Sequence, residues 1–127
     1  MLKLFYPQAE VSTEILSERL KLAKLYVDLT RVMMDRVFPD QKHAPDLELL
    51  LVLVCVFIGD AEGRVTTPTK LSSHSGLPRT NVYRRLKQLE KMQRIVKVGK
   101  TYHVAKDTIK PDRQGLLRKI LLNFIDD

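Results

Sequence analysis

The chain has 127 residues, one cysteine and a formal net charge of +7 at pH 7. This length allows a single domain with a hydrophobic core, and a hydrophobic fraction of 44% argues against a disordered chain. A single cysteine, Cys55, excludes an intramolecular disulfide. No signal-peptide pattern is present, and the longest apolar run, residues 47–58, is too short to span a bilayer. We therefore expect a soluble cytoplasmic protein with no membrane partner.

The positive charge is concentrated in one segment. Residues 63–110 carry 12 basic and two acidic side chains, whereas residues 46–62 carry four acidic side chains and no basic one. This distribution indicates a surface that meets a polyanion. A solvated face whose lysines keep the protein soluble would give a similar excess, so the charge alone leaves both interpretations open.

The first half of the chain is predicted to form two helices separated by a loop at residues 39–45. Residues 12–38 carry a broad apolar stripe with acidic side chains near its start and basic ones near its end, as one long helix does. Asp46 is a candidate N-cap for a second helix over residues 47–59, which the segment 59–63 ends. Its β-branched residues make a buried strand the alternative, but the length favours a helix.

Shorter elements are predicted after residue 63. Residues 64–66 are a candidate strand, and Thr67 followed by Pro68 indicates the start of a short helix that ends near residue 73. A turn with Gly76 leads into a periodic helix over residues 78–92. Two strands follow at residues 94–98 and 101–105, joined by a two-residue turn whose first central residue is glycine, which suits type II′. A last apolar helix is predicted over residues 112–125, opened by Asp112.

The helix predicted at residues 78–92 has two different faces. At 100° per residue, Val82, Leu86 and Leu89 fall on one side. Amide, hydroxyl and guanidinium groups gather on the other side in its N-terminal half, where a helix in the major groove reads bases. The predicted DNA contacts here are Arg79, Thr80, Asn81, Tyr83, Arg84, Lys87 and Gln88. Arg79 and Arg85 lie near the edge of the buried side, from which they can swing out to phosphates. A solvated face is the alternative.

Other basic residues fit supporting positions. Lys70 on the short helix, Lys97 and Lys100 on the hairpin, and Arg64 before the short helix are candidate phosphate contacts. Such contacts position a protein on DNA without reading its sequence. A lysine that faces solvent is an equally good interpretation of each one taken singly.

The order of elements in residues 46–105 is that of a winged helix-turn-helix: helix, short strand, short helix, turn, helix and hairpin. The stretch SSHSGLPRTNVYRRLKQLEKMQRIVKVGKTYHVA (72–105) resembles the winged helix-turn-helix of the IclR family. The layout, with a long N-terminal helix and a closing C-terminal helix, is similar to that of the MarR family, whose flanking helices form the dimer. The likeness covers residues 47–105 at the level of motifs and the termini by arrangement alone.

This resemblance implies a homodimeric transcriptional regulator with Thr80, Asn81 and Arg84 on its groove-facing positions. Two departures limit what it implies. The wing is very short and carries Lys100, where MarR proteins present a longer loop with arginine. The chain also has no IclR effector domain, so no response to a ligand is carried over.

The terminal helices independently predict a homodimer. The first helix has a double apolar stripe and the last has six large apolar residues, too many for the small core of one chain to bury. A two-fold partner would cover them and set two recognition helices about 34 Å apart, one turn of DNA. The predicted interface residues are Leu22, Leu25, Leu29, Leu117, Ile120, Leu121 and Phe124. Packing within one chain is the alternative.

No pattern indicates an enzyme, a metal site or a cofactor. The histidines His43, His74 and His103 are scattered over loop, turn and strand, without ligand spacing. Cys55 in its apolar segment fits a small hydrophobic residue better than a redox sensor. Three further residues fit either a small-molecule effector pocket or plain core packing: Tyr26, Met33 and Met34.

Taken together, the sequence predicts a mainly α (α+β) protein, a winged helix-turn-helix flanked by dimerisation helices. The expected function is sequence-specific binding of double-stranded DNA as a transcriptional regulator. The alternative is a winged-helix protein–protein interaction module that binds an acidic partner.

Overall fold

The computed structural model describes residue 5 and residues 12–39, 46–106, 108–109 and 114–126, of which 126 is described by its backbone alone. This part of the chain is mainly helical, with five helices and one two-stranded antiparallel sheet. Its contacts divide it into two compact units, residues 1–36 with 111–127, and residues 37–110. The predicted terminal helices belong to the first unit, and the predicted 46–105 segment belongs to the second.

The first unit contains two helices. Helix α1 spans Thr13–Val37, within one residue of its predicted bounds at each end, and none of its side chains is buried. A second helix, numbered α5 in chain order, spans Leu116–Asp126. It begins four residues later than predicted, because Gln114 is in a turn and Gly115 has a positive φ of 66°. The predicted opening residue, Asp112, lies outside the described residues, as does most of the loop predicted at 39–45.

The second unit contains three helices and a hairpin. Helix α2 spans Leu47–Ala61, α3 spans Pro68–Ser75 and α4 spans Arg79–Lys91. Strands β1, Ile95–Val98, and β2, Thr101–Val104, pair with Val98 opposite Thr101, so that two residues form the turn as predicted. Gly99 has the positive φ of 62° that the first central residue of a type II′ turn requires.

The predicted start signals of α2 and α3 are confirmed. The Asp46 carboxylate accepts the Glu48 backbone N–H at 2.8 Å, and the Thr67 hydroxyl accepts the Lys70 N–H at 3.3 Å. Each cap satisfies a backbone N–H group that the first turn of a helix leaves without a partner. The helix interpretation of residues 47–59 is therefore correct, and the strand alternative is wrong.

The core of the second unit forms where α2, α3, α4 and the hairpin meet. Its fully buried side chains come from all three helices: Val52, Val56, Leu71, Val82, Leu86 and Leu89. Ile95 and Tyr102 add the inner side of the hairpin. Because α4 contacts α2, α3 and β1 at once, one side of this helix is held by the core and the other is left for solvent.

In the second unit, one predicted strand is absent and two helices end later than predicted. Residues 64–66 form no strand, because their link to the hairpin is one backbone bond, from the Tyr102 N–H to the Thr66 carbonyl at 3.0 Å. Helix α3 continues through Ser75 to Gly76, whose φ of 79° ends it. Helix α2 continues through Gly59 to Ala61.

Gly59 lies inside α2 because the chain passes very close to it. A Cβ atom at this position would lie 2.3 Å from the Thr66 Oγ1 atom, and Thr66 is almost fully buried. We therefore expect Gly59→Ala to lower the free energy of unfolding by about 1–3 kcal/mol, since overpacking outweighs the better helix propensity of alanine. Urea denaturation followed by circular dichroism measures this change.

The matched control removes the atom that clashes. In a Thr66→Ala background the hydroxyl is gone, so adding Gly59→Ala should cost far less than it does alone. A double-mutant cycle isolates this coupling. Equal costs in both backgrounds would show that the close approach to Thr66 does not explain the glycine.

Candidate nucleic-acid interface

Helix α4 separates apolar from polar side chains along its length. Val82, Leu86 and Leu89 have no exposed surface, as the 100° periodicity predicts. The residues on its exposed side are Arg79, Thr80, Tyr83, Arg84, Lys87, Gln88 and Lys91. Six of these seven were predicted as DNA contacts. The helix therefore presents a polar face that is held in place from the opposite side by the core.

The positive charge on this face is not offset by neighbouring carboxylates. Arg84, Lys87 and Lys91 have no ion-pair partner among the described residues. Glu90 is the only acidic residue of α4 and is half-buried. A face with several cations and little acid produces a positive potential that attracts anions.

Two other side chains of α4 turn towards the start of α2. The Asn81 amide nitrogen donates to the Glu48 carboxylate oxygens at 3.3 and 3.4 Å. The Arg85 Nε atom donates to Glu48 at 3.3 Å, and its guanidinium also pairs with Asp46. We call Asp46 and Glu48 the acidic pair. The acidic pair fixes the orientation of α4, because it accepts hydrogen bonds from residues on two successive turns of this helix.

This arrangement holds Arg85 on the inner edge of α4. The sequence placed Arg85 near the edge of the buried side, from which it could swing out to phosphates; in the structure its side chain is 14% exposed and its charge is compensated by the acidic pair. Its Nη1 atom donates to the Gln88 Oε1 atom at 2.8 Å, which holds this amide as well. Asn81 is half-buried, whereas its neighbours Thr80 and Arg84 face outwards.

Arg79 and Lys70 lie where α3 and α4 adjoin. The Arg79 Nη2 atom donates to the Thr69 hydroxyl at 2.5 Å, so the first residue of α4 is tied to the first turn of α3. Lys70 is exposed on α3 and has no ion-pair partner among the described residues. Arg64 pairs with Glu62 at 2.6 Å.

The hairpin presents two further lysines. Lys97 and Lys100 are exposed, and the Lys97 ammonium lies 5.7 Å from the centre of the Tyr102 ring, within range of a cation–π interaction. Lys100 is the second residue of the tight turn, so its side chain lies at the tip of the hairpin.

Asp60 anchors the hairpin to α2, a contact that sequence reasoning missed. Its carboxylate accepts the Val104 backbone N–H at 2.7 Å and the His103 Nδ1 proton at 2.8 Å. His103, which the sequence placed on a strand, is half-buried in this contact. The two residues are 43 positions apart in the chain, so no local pattern signals the pairing.

The described residues contain no group of three or more His, Cys, Asp or Glu side chains that could hold a metal ion. Burial raises the pKa of the Cys55 thiol, and the positive charge of Arg64 opposes this rise. No helix in the described ranges is both long and apolar enough to cross a membrane.

The predicted dimer-interface residues lie in the first unit. Leu22, Leu29 and Leu121 are exposed, and the other four are half-buried: Leu25, Leu117, Ile120 and Phe124. A cleft of about 270 Å³ lies between α1 and α5 in this unit. Leu25, Ile120 and Phe124 line it, but the proposed effector-pocket residues do not: Tyr26, Met33 and Met34.

No protein-family model matches this chain, and neither a curated protein nor a solved structure shows detectable similarity to it.

Proposed function

We propose that this protein is a homodimeric transcriptional regulator that binds specific sequences of double-stranded DNA. In this proposal residues 46–105 form a winged helix-turn-helix, in which α3 supports α4 and the hairpin is the wing. The observation that carries the proposal is the exposed face of α4, where Thr80 and Arg84 lie opposite the fully buried Val82 and Leu86. The core holds this helix from behind, so its polar face is presented in a fixed orientation.

The dimensions and chemistry of α4 suit the major groove. A helix of 13 residues is about 20 Å long, and the groove is about 12 Å wide, enough to admit a helix. Arginine reads guanine through two hydrogen bonds, and threonine contacts a thymine methyl group or a phosphate. In this proposal Arg84 and Thr80 read bases, and Lys87 contacts bases or the backbone.

The acidic pair supports the proposal by fixing how α4 is presented. Asp46 and Glu48 hold Arg85 and Asn81 on the side of α4 that faces α2. These bonds hold α4 in place before DNA arrives, so less conformational entropy is lost on binding. We therefore assign Arg85 to positioning and Arg84 to contact with DNA.

Binding to duplex DNA should depend steeply on salt concentration. Five exposed cations of one chain can contact phosphates in this proposal: Arg79, Lys87, Lys70, Lys97 and Lys100. Because each neutralised phosphate contributes about −0.9 to the slope of log K against log salt, we expect a slope of up to about −4.5 per chain. Fluorescence anisotropy with labelled duplexes over a range of salt concentrations measures this slope.

The same titration distinguishes the alternative, an interaction module that binds an acidic protein. Duplexes enriched from a random pool should bind more tightly than unselected ones if the protein reads sequence. Absence of duplex binding at low salt, together with tight and salt-insensitive binding to a protein, would overturn the DNA proposal.

The terminal helices support the homodimer. Helix α1 has 25 residues, and none of its side chains is buried. Three of its large apolar side chains are about half exposed: Leu22, Tyr26 and Val27. In α5, Leu121 and Ile125 are more than half exposed. Covering such surface with a second copy removes apolar area from water, which stabilises the dimer.

We expect light scattering to give twice the 14.7 kDa mass of one chain at micromolar concentration. Leu121→Asp should shift the protein to the monomer, because it places a charge in the proposed interface. The matched control, Lys119→Gln, changes the charge by the same amount on the opposite side of α5 and should leave the dimer intact. A monomeric wild-type protein would contradict the homodimer.

A further inference from the structure

The outer side of α2 carries an apolar stripe. Its members follow one another at alternating steps of four and three residues, which places them within about 40° of one line along the helix. We call them the α2 stripe: Leu47, Leu51, Val54, Ile58 and Ala61. Three of these side chains, Leu47, Leu51 and Ile58, are 52%, 39% and 40% exposed. The core contacts of α2 come from the opposite side of the helix, where Val52 and Val56 are fully buried.

The carboxylates near the two ends of the α2 stripe are already paired within the chain. Positions 46–62 contain four acidic residues and no basic one. Each carboxylate has a hydrogen-bond or ion-pair partner: Arg85 for the acidic pair, His103 for Asp60 and Arg64 for Glu62. The stripe itself is uncharged, so its surface needs no cation from a partner.

We infer that the α2 stripe packs against the α2 stripe of a second copy of this chain. The two helices run antiparallel about a two-fold axis near Val54, so that the half from Leu47 to Val54 faces the half from Val54 to Ala61 of the partner. Steps of four and three residues are the spacing at which two helices pack side chains into each other. One surface meets its own copy, as a two-fold axis requires. Antiparallel pairing also sets the positive end of one helix dipole beside the negative end of the other.

The size of the α2 stripe favours a second copy over an unrelated partner. The stripe is about 21 Å long and a helix is about 10 Å wide, which gives a footprint of roughly 200 Å². A stable interface needs about 800 Å² on each partner. The α2 contact therefore requires further surface on the same partner, and the terminal helices of the proposed homodimer supply it. The inference rests on that homodimer and extends its interface to the second unit.

Pairing through α2 would bear directly on how the two α4 helices are presented. Helix α2 contacts α4, and the acidic pair at its start bonds Asn81 and Arg85 of α4. The helix that forms the contact between copies is thus the one that holds the proposed recognition helix. Each α4 would then have a fixed position relative to the two-fold axis.

Cross-linking at single cysteines tests the pairing, because Cys55 is the only native cysteine and Cys55→Ala removes it. In this background Val54→Cys should be joined to its copy by a bis-maleimide that spans about 10 Å, the distance between the axes of two packed helices. The product should have twice the 14.7 kDa mass of one chain. Leu47→Cys is the matched control, since antiparallel pairing sets its two copies about 20 Å apart and should leave them unlinked.

Light scattering over a dilution series measures the same contact without a cross-linker. Leu51→Asp should raise the dissociation constant of the dimer at least about tenfold, because it places an unpaired charge in an apolar contact. Val98→Asp makes a similar change at an exposed apolar residue of the hairpin and should leave the constant unchanged. Circular dichroism shows whether each variant is folded, and the cross-linking result does not depend on a charged substitution.

These measurements distinguish the α2 contact from the proposed function. If the wild-type protein is a dimer that binds duplex DNA, but Val54→Cys stays unlinked and Leu51→Asp dimerises normally, the inference alone is overturned. Equal linking of Leu47→Cys and Val54→Cys would also overturn it, because antiparallel pairing separates the two Leu47 positions. A cross-linked species with the mass of four chains would mean that the stripe joins two dimers, which contradicts the inference. A monomeric wild-type protein would overturn both the inference and the homodimer.

Discussion

Leu86→Ala should lower the free energy of unfolding by about 2–5 kcal/mol, the range for truncation of a buried leucine. Leu86 has no exposed surface, and it lies in the middle of α4 between Val82 and Leu89, which are equally buried. Removing its isobutyl group loses buried apolar area and leaves a cavity where α4 meets α2 and α3. Urea denaturation followed by circular dichroism gives the change.

The adjacent residue supplies the control. Lys87 is exposed and lies one position further along α4. Lysine and alanine are both good helix formers, so Lys87→Ala should alter the free energy of unfolding by no more than about 0.5 kcal/mol. If the two variants were equally stable, the inward side of α4 would have been assigned wrongly. The outward direction of Thr80 and Arg84 would then lose its support, because the two faces are fixed by the same helix.

Local sequence signals predicted most elements of the second unit. The Thr67–Pro68 pair, the glycine turn at Gly76 and the Gly99 turn act over a few residues, so their chemistry is visible without tertiary structure. The buried stripe of α4 was predictable for the same reason, since helical periodicity places Val82 and Leu86 on one side regardless of what covers them.

Contacts between distant residues were not predictable from one sequence. The acidic pair bonds Asn81 and Arg85 across more than 30 positions, and Asp60 bonds His103 across 43. Periodicity placed Arg85 near the edge of the buried side of α4 but said nothing about the carboxylates beside it. Tertiary structure therefore pairs Arg85 with carboxylates that the wheel could not show, whereas Arg84 is exposed, as the wheel predicted.

The extent of α2 was missed for a similar reason. Gly59 and the residues after it were expected to end the helix because glycine is a poor helix former. The helix instead continues, and the glycine allows Thr66 to approach its backbone. A sequence shows that a glycine is present, but only the fold shows which neighbour requires it.

Arg84→Ala should weaken binding to a selected duplex by about 1–3 kcal/mol, or roughly 5- to 150-fold, and relax the preference at one base pair. Arg84 is exposed, has no carboxylate partner in the described ranges, and lies one turn after Thr80 on the polar face of α4. Its guanidinium can therefore donate to both acceptor atoms of a guanine edge. Anisotropy measurements on the selected duplex and on duplexes changed at single positions give both effects.

Arg84→Lys tests whether the geometry of the guanidinium matters or only its charge. Lysine keeps the positive charge but lacks the planar pair of donors. It should retain the salt slope and the affinity for unselected DNA while losing much of the base preference. If Arg84→Ala weakened selected and unselected duplexes equally, and Arg84→Lys restored both, Arg84 would contact phosphate alone. Base reading by α4 would then have to come from Thr80 and its other outward neighbours, whereas the backbone contacts assigned to the hairpin lysines would be unaffected.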